Sequence, residues 1–222
     1  KEAEETELSR FRPLEGTNFF EASPGFKEAL ERIVPPGSLA KIRERIELFG
    51  AKVAGWDREV QESALYDSGP RIESFSRTGE PVERIRLPET IRRIRREVVE
   101  AGIFQNGSQV EQFAKVILLA HMGEASVLCP LACTEGLIRV IGAVGSESLK
   151  KTWLPRIQSA ATPLAGAQFV TERDCGSDVG GIKTRAVLDG RDRWRLYGEK
   201  WFCSAIDEYF VIAARPEGGP EG

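Results

Sequence analysis

Histidine and methionine occur once each in the 222 residues, tyrosine three times and cysteine four times. A single histidine excludes a histidine-rich metal centre, and its apolar setting gives no ground for a Ser/His/Asp triad. His121 lies in an apolar stretch, where a core histidine with satisfied ring nitrogens is expected. The cysteines, at 129, 133, 175 and 203, are too few and too irregular for a disulfide framework in a chain this long. They are expected to be reduced, in a cytoplasmic protein. Cys129 and Cys133 have the spacing of half a zinc site, but no second pair follows at finger-like spacing. One buried helix face accounts for both, and no metal is expected. Long apolar runs are also missing: Val116 to Ala120 is typical, against the ~20 residues a membrane span needs. No signal-peptide pattern stands at Lys1. Neither charge dominates, with 31 Lys and Arg against 34 Asp and Glu and a net charge of −3, so the chain as a whole carries no polyanion-binding footprint. There is no P-loop and no Gly-x-Gly-x-x-Gly fingerprint. At 41% hydrophobic residues, intrinsic disorder is excluded.

Residues 1–162 read as helical. Leu39, Ile42, Ile46, Phe49 and Val53 fall on one stripe at three- and four-residue spacing, with Ser38 as N-cap. Gln109 to Ala120 is a second helix, with Val110, Phe113, Val116 and Ile117 as its apolar set. Leu131 to Val144 is a third, apolar nearly all round, which predicts burial. Ser146 and Glu147 open a fourth, carrying Leu149, Trp153, Leu154 and Ile157, with Pro155 as a kink or stop. Asp67 to Pro70 and Arg77 to Pro81 are turn-rich. Arg92, Arg93, Arg95 and Arg96 lie between Glu89 and Glu100. Either a phosphate-binding patch or a solvated, partly neutralised helix face has this composition, and the second is the expected one.

Residues 163–222 change period. Ile182 to Leu188 and Trp194 to Gly198 flank the turn signal Asp189-Gly190-Arg191-Asp192. Tyr209 to Ala214 reads as a buried strand, and Arg215 to Gly222 as a loop with no element of its own. So few strands cannot close a sheet, and open edges expose unpaired backbone groups. The polypeptide is therefore expected to continue beyond Gly222 or to pair with a chain that carries the rest. The densest polar cluster runs from Thr171 to Asp178, followed by Gly180-Gly181. Hydroxyls and glycine-freed N–H groups suit an anionic ligand there, although a polar turn between strands has the same composition.

Three ordered motifs resemble the signature of the acyl-CoA dehydrogenases: Gln168-Phe-Val-Thr-Glu-Arg-Asp-Cys-Gly-Ser-Asp178, Ile182-Lys-Thr-Arg-Ala186 and Leu196-Tyr-Gly-Glu-Lys-Trp-Phe-Cys-Ser204. Gly145 to Pro155 resembles the helix that precedes them. Ala125 to Pro130, Lys200 to Ser204 and the long region before residue 100 are similar to the branch that includes the flavoprotein AidB. The resemblance implies an α+β fold: an N-terminal α-helical domain, residues 1–162 with an AidB-like extension, then the truncated start of an antiparallel β-barrel or sandwich domain, residues 163–222.

The same resemblance implies FAD as cofactor and an acyl-CoA as substrate, with α,β-desaturation and hydride transfer to the flavin. The backbone of Gln168, Phe169 and Val170 would pass the isoalloxazine ring, and Gln168 departs from the aromatic or aliphatic residue frequent there. Thr171 would bond the pyrimidine edge, where donors favour developing negative charge. Gly176 and Ser177 would lie near the pyrophosphate and the mouth of the acyl pocket, with Ser177 also a substrate contact. Phe202 would cover the flavin face, Ser204 would bond near the hydride-accepting nitrogen, and Cys203 lies beside these positions. The catalytic carboxylate belongs to the half of the family fold that this chain lacks, so no catalytic residue is assigned. A homo-oligomer, tetramer or dimer, and an electron-transfer partner are further implications, without membrane attachment. The AidB branch adds an alternative, nucleic-acid protection with little dehydrogenation, which the charge of this segment does not decide.

Overall fold

A computed structural model describes residues 14, 16–66, 69–105, 107–161, 165–191, 193–205 and 209–219. The chain forms two compact units, Lys1–Ala125 and Ser126–Gly222.

The spine of the first unit is α3 (Pro36–Tyr66), which packs against the short helices α1 (Phe19–Ala22) and α2 (Pro24–Ile33). Ile42, Ile46, Phe49 and Val53 are buried along one stripe, as their spacing predicts. The expected cap at Ser38 is not found. The helix already opens at Pro36, whose missing N–H costs nothing in a first turn. Ser38 sits inside it with its hydroxyl donating to the Pro35 carbonyl. Asn18 caps α1 by accepting the Phe20 N–H at 3.1 Å, and its amide donates to the Glu47 carbonyl of α3.

β1 (Arg71–Phe75) and β2 (Pro81–Arg86) form an antiparallel hairpin where only turns were legible, with Ile72 opposite Ile85. α4 (Glu89–Glu100) buries Ile91, Ile94, Val98 and Val99, and Arg92 and Arg93 are paired. Arg92 lies 3.1 Å from Glu89 and Arg93 2.6 Å from Glu97. Arg93 also reaches Glu59 of α3, and the Trp56 indole donates to Glu97 at 2.7 Å. The Arg93 and Trp56 bonds outweigh burial and hold the Glu97 carboxyl below its ordinary range. This is the neutralised helix face, tied to α3.

α5 (Gln109–Met122) turns a different face inward from the one its apolar residues suggested. Phe113 and Ile117 are exposed, and Glu111, Ala114, Lys115, Leu118, Leu119 and Met122 are buried. Glu111 meets Arg45 at 2.7 Å and Lys115 at 3.1 Å, and Lys115 donates to the Ala101 carbonyl. The pairing makes burial of these charges tolerable. His121 is exposed rather than in the core, stacked on Phe19 at 4.7 Å, with Nδ1 against the Ile117 carbonyl.

In the second unit α6 (Ala125–Val144) begins six residues before the expected Leu131 and runs through Pro130. It is long and apolar enough to cross a membrane by length and composition alone. One face of it is buried, with Val127, Leu131, Leu137 and Ile141, while Val140 and Val144 are exposed and Glu135 pairs with Arg139 at 2.7 Å. Burial all round is thus not found. Cys129 is exposed and Cys133 half-buried, so they share no buried face. No cluster of three metal-ligating side chains occurs among the described residues. α7 (Glu147–Ile157) is capped by Ser146, which accepts the Leu149 N–H at 3.2 Å, and Pro155 falls in its last turn without stopping it early. Leu137, Ile141 and Ile157 form a core with Trp153, Leu154, Tyr209 and Val211.

β3 (Gly166–Phe169) pairs in parallel with β6 (Tyr209–Ile212). β4 (Arg185–Leu188) pairs with β5 (Trp194–Tyr197) as the antiparallel hairpin that the Asp189-Gly190 turn predicts. β4 also pairs in parallel with β7 (Arg215–Pro216), so the segment expected to be loop supplies a short strand. β6 is not a fully buried strand: Phe210 is half exposed. The α+β class stands, but the sheets are mixed rather than purely antiparallel, and no closed barrel forms among the described residues.

Candidate functional site

Strand β3 leads into the candidate site, and α6 fixes where it starts. The Gly166 N–H donates to Thr134 Oγ1 at 2.9 Å, and that hydroxyl donates to the Pro130 carbonyl at 2.7 Å. A Cβ at Gly166 would stand 2.6 Å from Leu137 Cδ2, so glycine permits the approach. The Gln168 amide donates to the Cys133 carbonyl and packs over Gly136. Its side chain is thereby committed to α6, which gives the departure from the family pattern a structural role. Phe169 is buried and in ring contact with Phe210 at 4.8 Å.

Beyond β3 the chain turns at Glu172–Cys175, closed by Glu172 N–H to Cys175 O at 2.9 Å and Cys175 N–H to Glu172 O at 3.2 Å. Glu172 is 7% exposed. Its carboxylate accepts from Lys183 N at 2.6 Å, Thr184 N at 3.0 Å, Thr184 Oγ1 at 2.5 Å and Lys200 Nζ at 2.7 Å. Burial pushes this carboxyl up, but the Lys200 ammonium, the Thr184 hydroxyl and the two backbone N–H groups together outweigh it. The result is a pKa of about 2. Lys200 also donates to the Val170 carbonyl at 3.0 Å. Gly198 lets the segment after β5 reach this cluster, since a Cβ there would stand 2.5 Å from Thr184 Oγ1.

The stretches 170–173 and 199–202 are thus joined. Thr171 O accepts the Trp201 N–H at 2.8 Å. Arg173 pairs with Glu199 at 2.7 Å and lies 4.9 Å over the Trp201 ring. The Thr171 hydroxyl and N–H have no partner among the described residues. Phe202 is 81% exposed at φ +56°, and Ala205 follows at φ +53°. Left-handed backbone at non-glycine residues costs ~1–3 kcal/mol and concentrates at functional sites. Ser204 is exposed and Cys203 half-buried, while Gly176 and Ser177 are exposed in the loop past Cys175. Thr171 and Phe202 therefore lie in one linked region, whereas Ser177 has no bond to the 198–204 segment among the described residues. Sequence reasoning missed Glu172 and Lys200. The available signal was one opposite charge inside each of two motifs.

The family profile described as "Adaptive response protein AidB N-terminal domain" matches residues 10–162. The chain is 26% identical over 205 residues to acyl-CoA dehydrogenase family member 11 of Caenorhabditis elegans, covering 86% of this chain and 33% of that protein. The chain belongs to the acyl-CoA dehydrogenase family, with an AidB-like N-terminal domain. It spans about a third of the length of that relative. A second relative is the mitochondrial short/branched chain specific acyl-CoA dehydrogenase of Bos taurus, 32% identical over 124 residues, 54% of this chain and 28% of the other. Among solved structures, Caenorhabditis elegans ACDH-11 in complex with C11-CoA matches with a TM-score of 0.75 at 23% identity over 90% of this chain and 36% of that one. The apo form of Bd2924 matches with a TM-score of 0.75 at 24% identity, over 93% and 44%. These two likenesses show the fold.

Proposed function

We propose that the protein of which this chain is part is an FAD-dependent acyl-CoA dehydrogenase. In this reading residues 1–162 are the N-terminal helical domain and residues 163–222 open the flavin-binding β-domain of a cytoplasmic homo-oligomer. The observation that carries the proposal is the donor pair of Thr171, without a partner among the described residues, in one linked region with the exposed Phe202 ring, joined by the Thr171–Trp201 and Lys200–Val170 bonds. These residues fit a flavin. Thr171 offers a hydroxyl and an N–H to an acceptor edge, Phe202 offers an aromatic face, and Ser177 and Ser204 expose hydroxyls. A Cβ at Gly176 would meet no heavy atom within 4 Å, which leaves room for a phosphate. FAD, when bound, accepts the hydride from the acyl β-carbon. The chain's part is to bind, orient and stabilise charge. In this reading the backbone of Gln168, Phe169 and Val170 would line the ring, Cys203 and Ser204 would flank it, and Ser177 would contact the acyl group. Glu172 makes a poor general base: it is buried, bonded to Lys183 N, Thr184 and Lys200, and its pKa of about 2 leaves it little affinity for a proton. The relative solved with C11-CoA supports an acyl-CoA substrate. The test is the full-length protein: it is expected to purify yellow or take up FAD, and anaerobic addition of an acyl-CoA should bleach the flavin absorbance. A folded protein that ignores FAD, or a bound flavin unmoved by acyl-CoAs of every length, overturns the proposal.

The AidB profile supports a second reading, nucleic-acid protection with little dehydrogenation. Salt-dependent DNA retention by a holoprotein that no acyl-CoA reduces would favour it.

A further inference from the structure

Resting on the flavin reading, we infer that the buried Glu172–Lys200 ion pair is a positioning pair that sets the direction of the Thr171 N–H. Val170 C=O and Thr171 N–H belong to one peptide plane, and no peptide bond in the described residues is cis. In a trans peptide the two groups point in opposite directions. The Val170 carbonyl is drawn to the Lys200 ammonium at 3.0 Å, and that side chain is 4% exposed. The Thr171 N–H is therefore turned away from the buried cluster. On its other side, the Thr171 carbonyl is held by the Trp201 N–H at 2.8 Å. The plane has no freedom to flip without breaking a bond to a buried ammonium.

Glu172 explains why the ammonium stays in place. Its carboxylate is fixed by Lys183 N, Thr184 N and Thr184 Oγ1, and its own backbone is closed in the turn with Cys175. Lys200 is thus held between a rigid carboxylate and the carbonyl it orients. An apolar pair of similar volume would fill this space at comparable stability, yet it could not bond the carbonyl. A cation on the carbonyl also polarises the peptide and strengthens its N–H as a donor. A donor fixed beforehand toward an acceptor edge where negative charge develops costs no reorganisation when the flavin is reduced. Glu172 and Lys200 touch no cofactor in this arrangement and act through Thr171.

The experiment uses the full-length, FAD-loaded protein and the double variant Lys200→Met with Glu172→Gln, which leaves neither charge buried alone. The expected result is retained FAD, a shifted flavin absorption spectrum and a roughly tenfold loss of preference for reduced over oxidised flavin. For a two-electron couple that is a potential lower by about 30 mV. A merely structural pair would lower the melting temperature and leave spectrum and potential in place, and that result overturns the inference while the flavin reading stands. If the double variant does not fold, Thr184→Val decides. It keeps both charges and removes one of the bonds that fix Glu172, and is expected to shift the potential in the same direction by less. An unmoved potential in that variant is equally fatal. A wild-type protein that takes up no FAD removes the flavin reading and this inference together.

Discussion

Glu172 and Lys200 are charged residues in polar sequence, the composition of a solvated turn. Only the fold shows that they are buried against each other. Motif position singles out Thr171 and Phe202 in the sequence. The charges behind them were not legible, because pairing across 28 residues leaves no local trace. The pair has a consequence for acid stability. The Glu172 carboxyl lies at about 2 in the folded chain against an ordinary 4.5, because Lys200, Thr184 and two N–H groups outweigh burial. The folded state therefore binds the proton less readily than the unfolded state, and the stabilisation is fully present above the unfolded value. It is lost as pH falls from about 4.5 toward 2. Urea midpoints measured across that window should fall with pH in the wild type, and Glu172→Gln should flatten the fall. An equal slope in both proteins would show that Glu172 is not the group responsible.

Helices were legible in place but not always in facing. α7 and the buried stripe of α3 follow from spacing, capping and periodicity. α5 was placed within two residues, yet its inward face was misjudged, because periodicity counts apolar residues as buried and charges as solvated. The Glu111–Lys115 pair, joined by Arg45, is stable inside and turns Phe113 out. The hairpin β1–β2 was missed for a related reason. Ser74 before Phe75 and the adjacent Glu83-Arg84 break the alternation that marks a strand. The facing of α5 is open to a paired test. Leu118 is fully buried, so Leu118→Ala should cost ~2–5 kcal/mol in denaturant unfolding. Phe113 is 62% exposed, and Phe113→Ala should stay within ~0.5 kcal/mol. The reverse order would restore the face that the apolar residues alone suggest.

At the scale of the whole molecule, some of the charge serves as joints between elements. The chain carries 31 basic and 34 acidic residues. The most arginine-rich helix, α4, points Arg93 at Glu97 and Glu59, with Trp56 on the same Glu97, so its guanidinium joins α4 to α3. Arg92 answers Glu89 within the first turn of its own helix. A helix built to hold nucleic acid would leave such groups open to phosphate, because each neutralised phosphate releases counterions and steepens the salt dependence of binding. The AidB-like and the dehydrogenase readings therefore make different demands on these two side chains. Arg92→Gln together with Arg93→Gln in the full-length protein should lower the melting temperature, because Glu59 loses Arg93 and Glu97 is left with the Trp56 indole alone. Any DNA retention that the wild type shows should keep both its strength and its salt slope. A loss of retention with a slope shallower by one to two units, at an unchanged melting temperature, would make α4 a phosphate-binding surface and turn the balance toward the nucleic-acid reading.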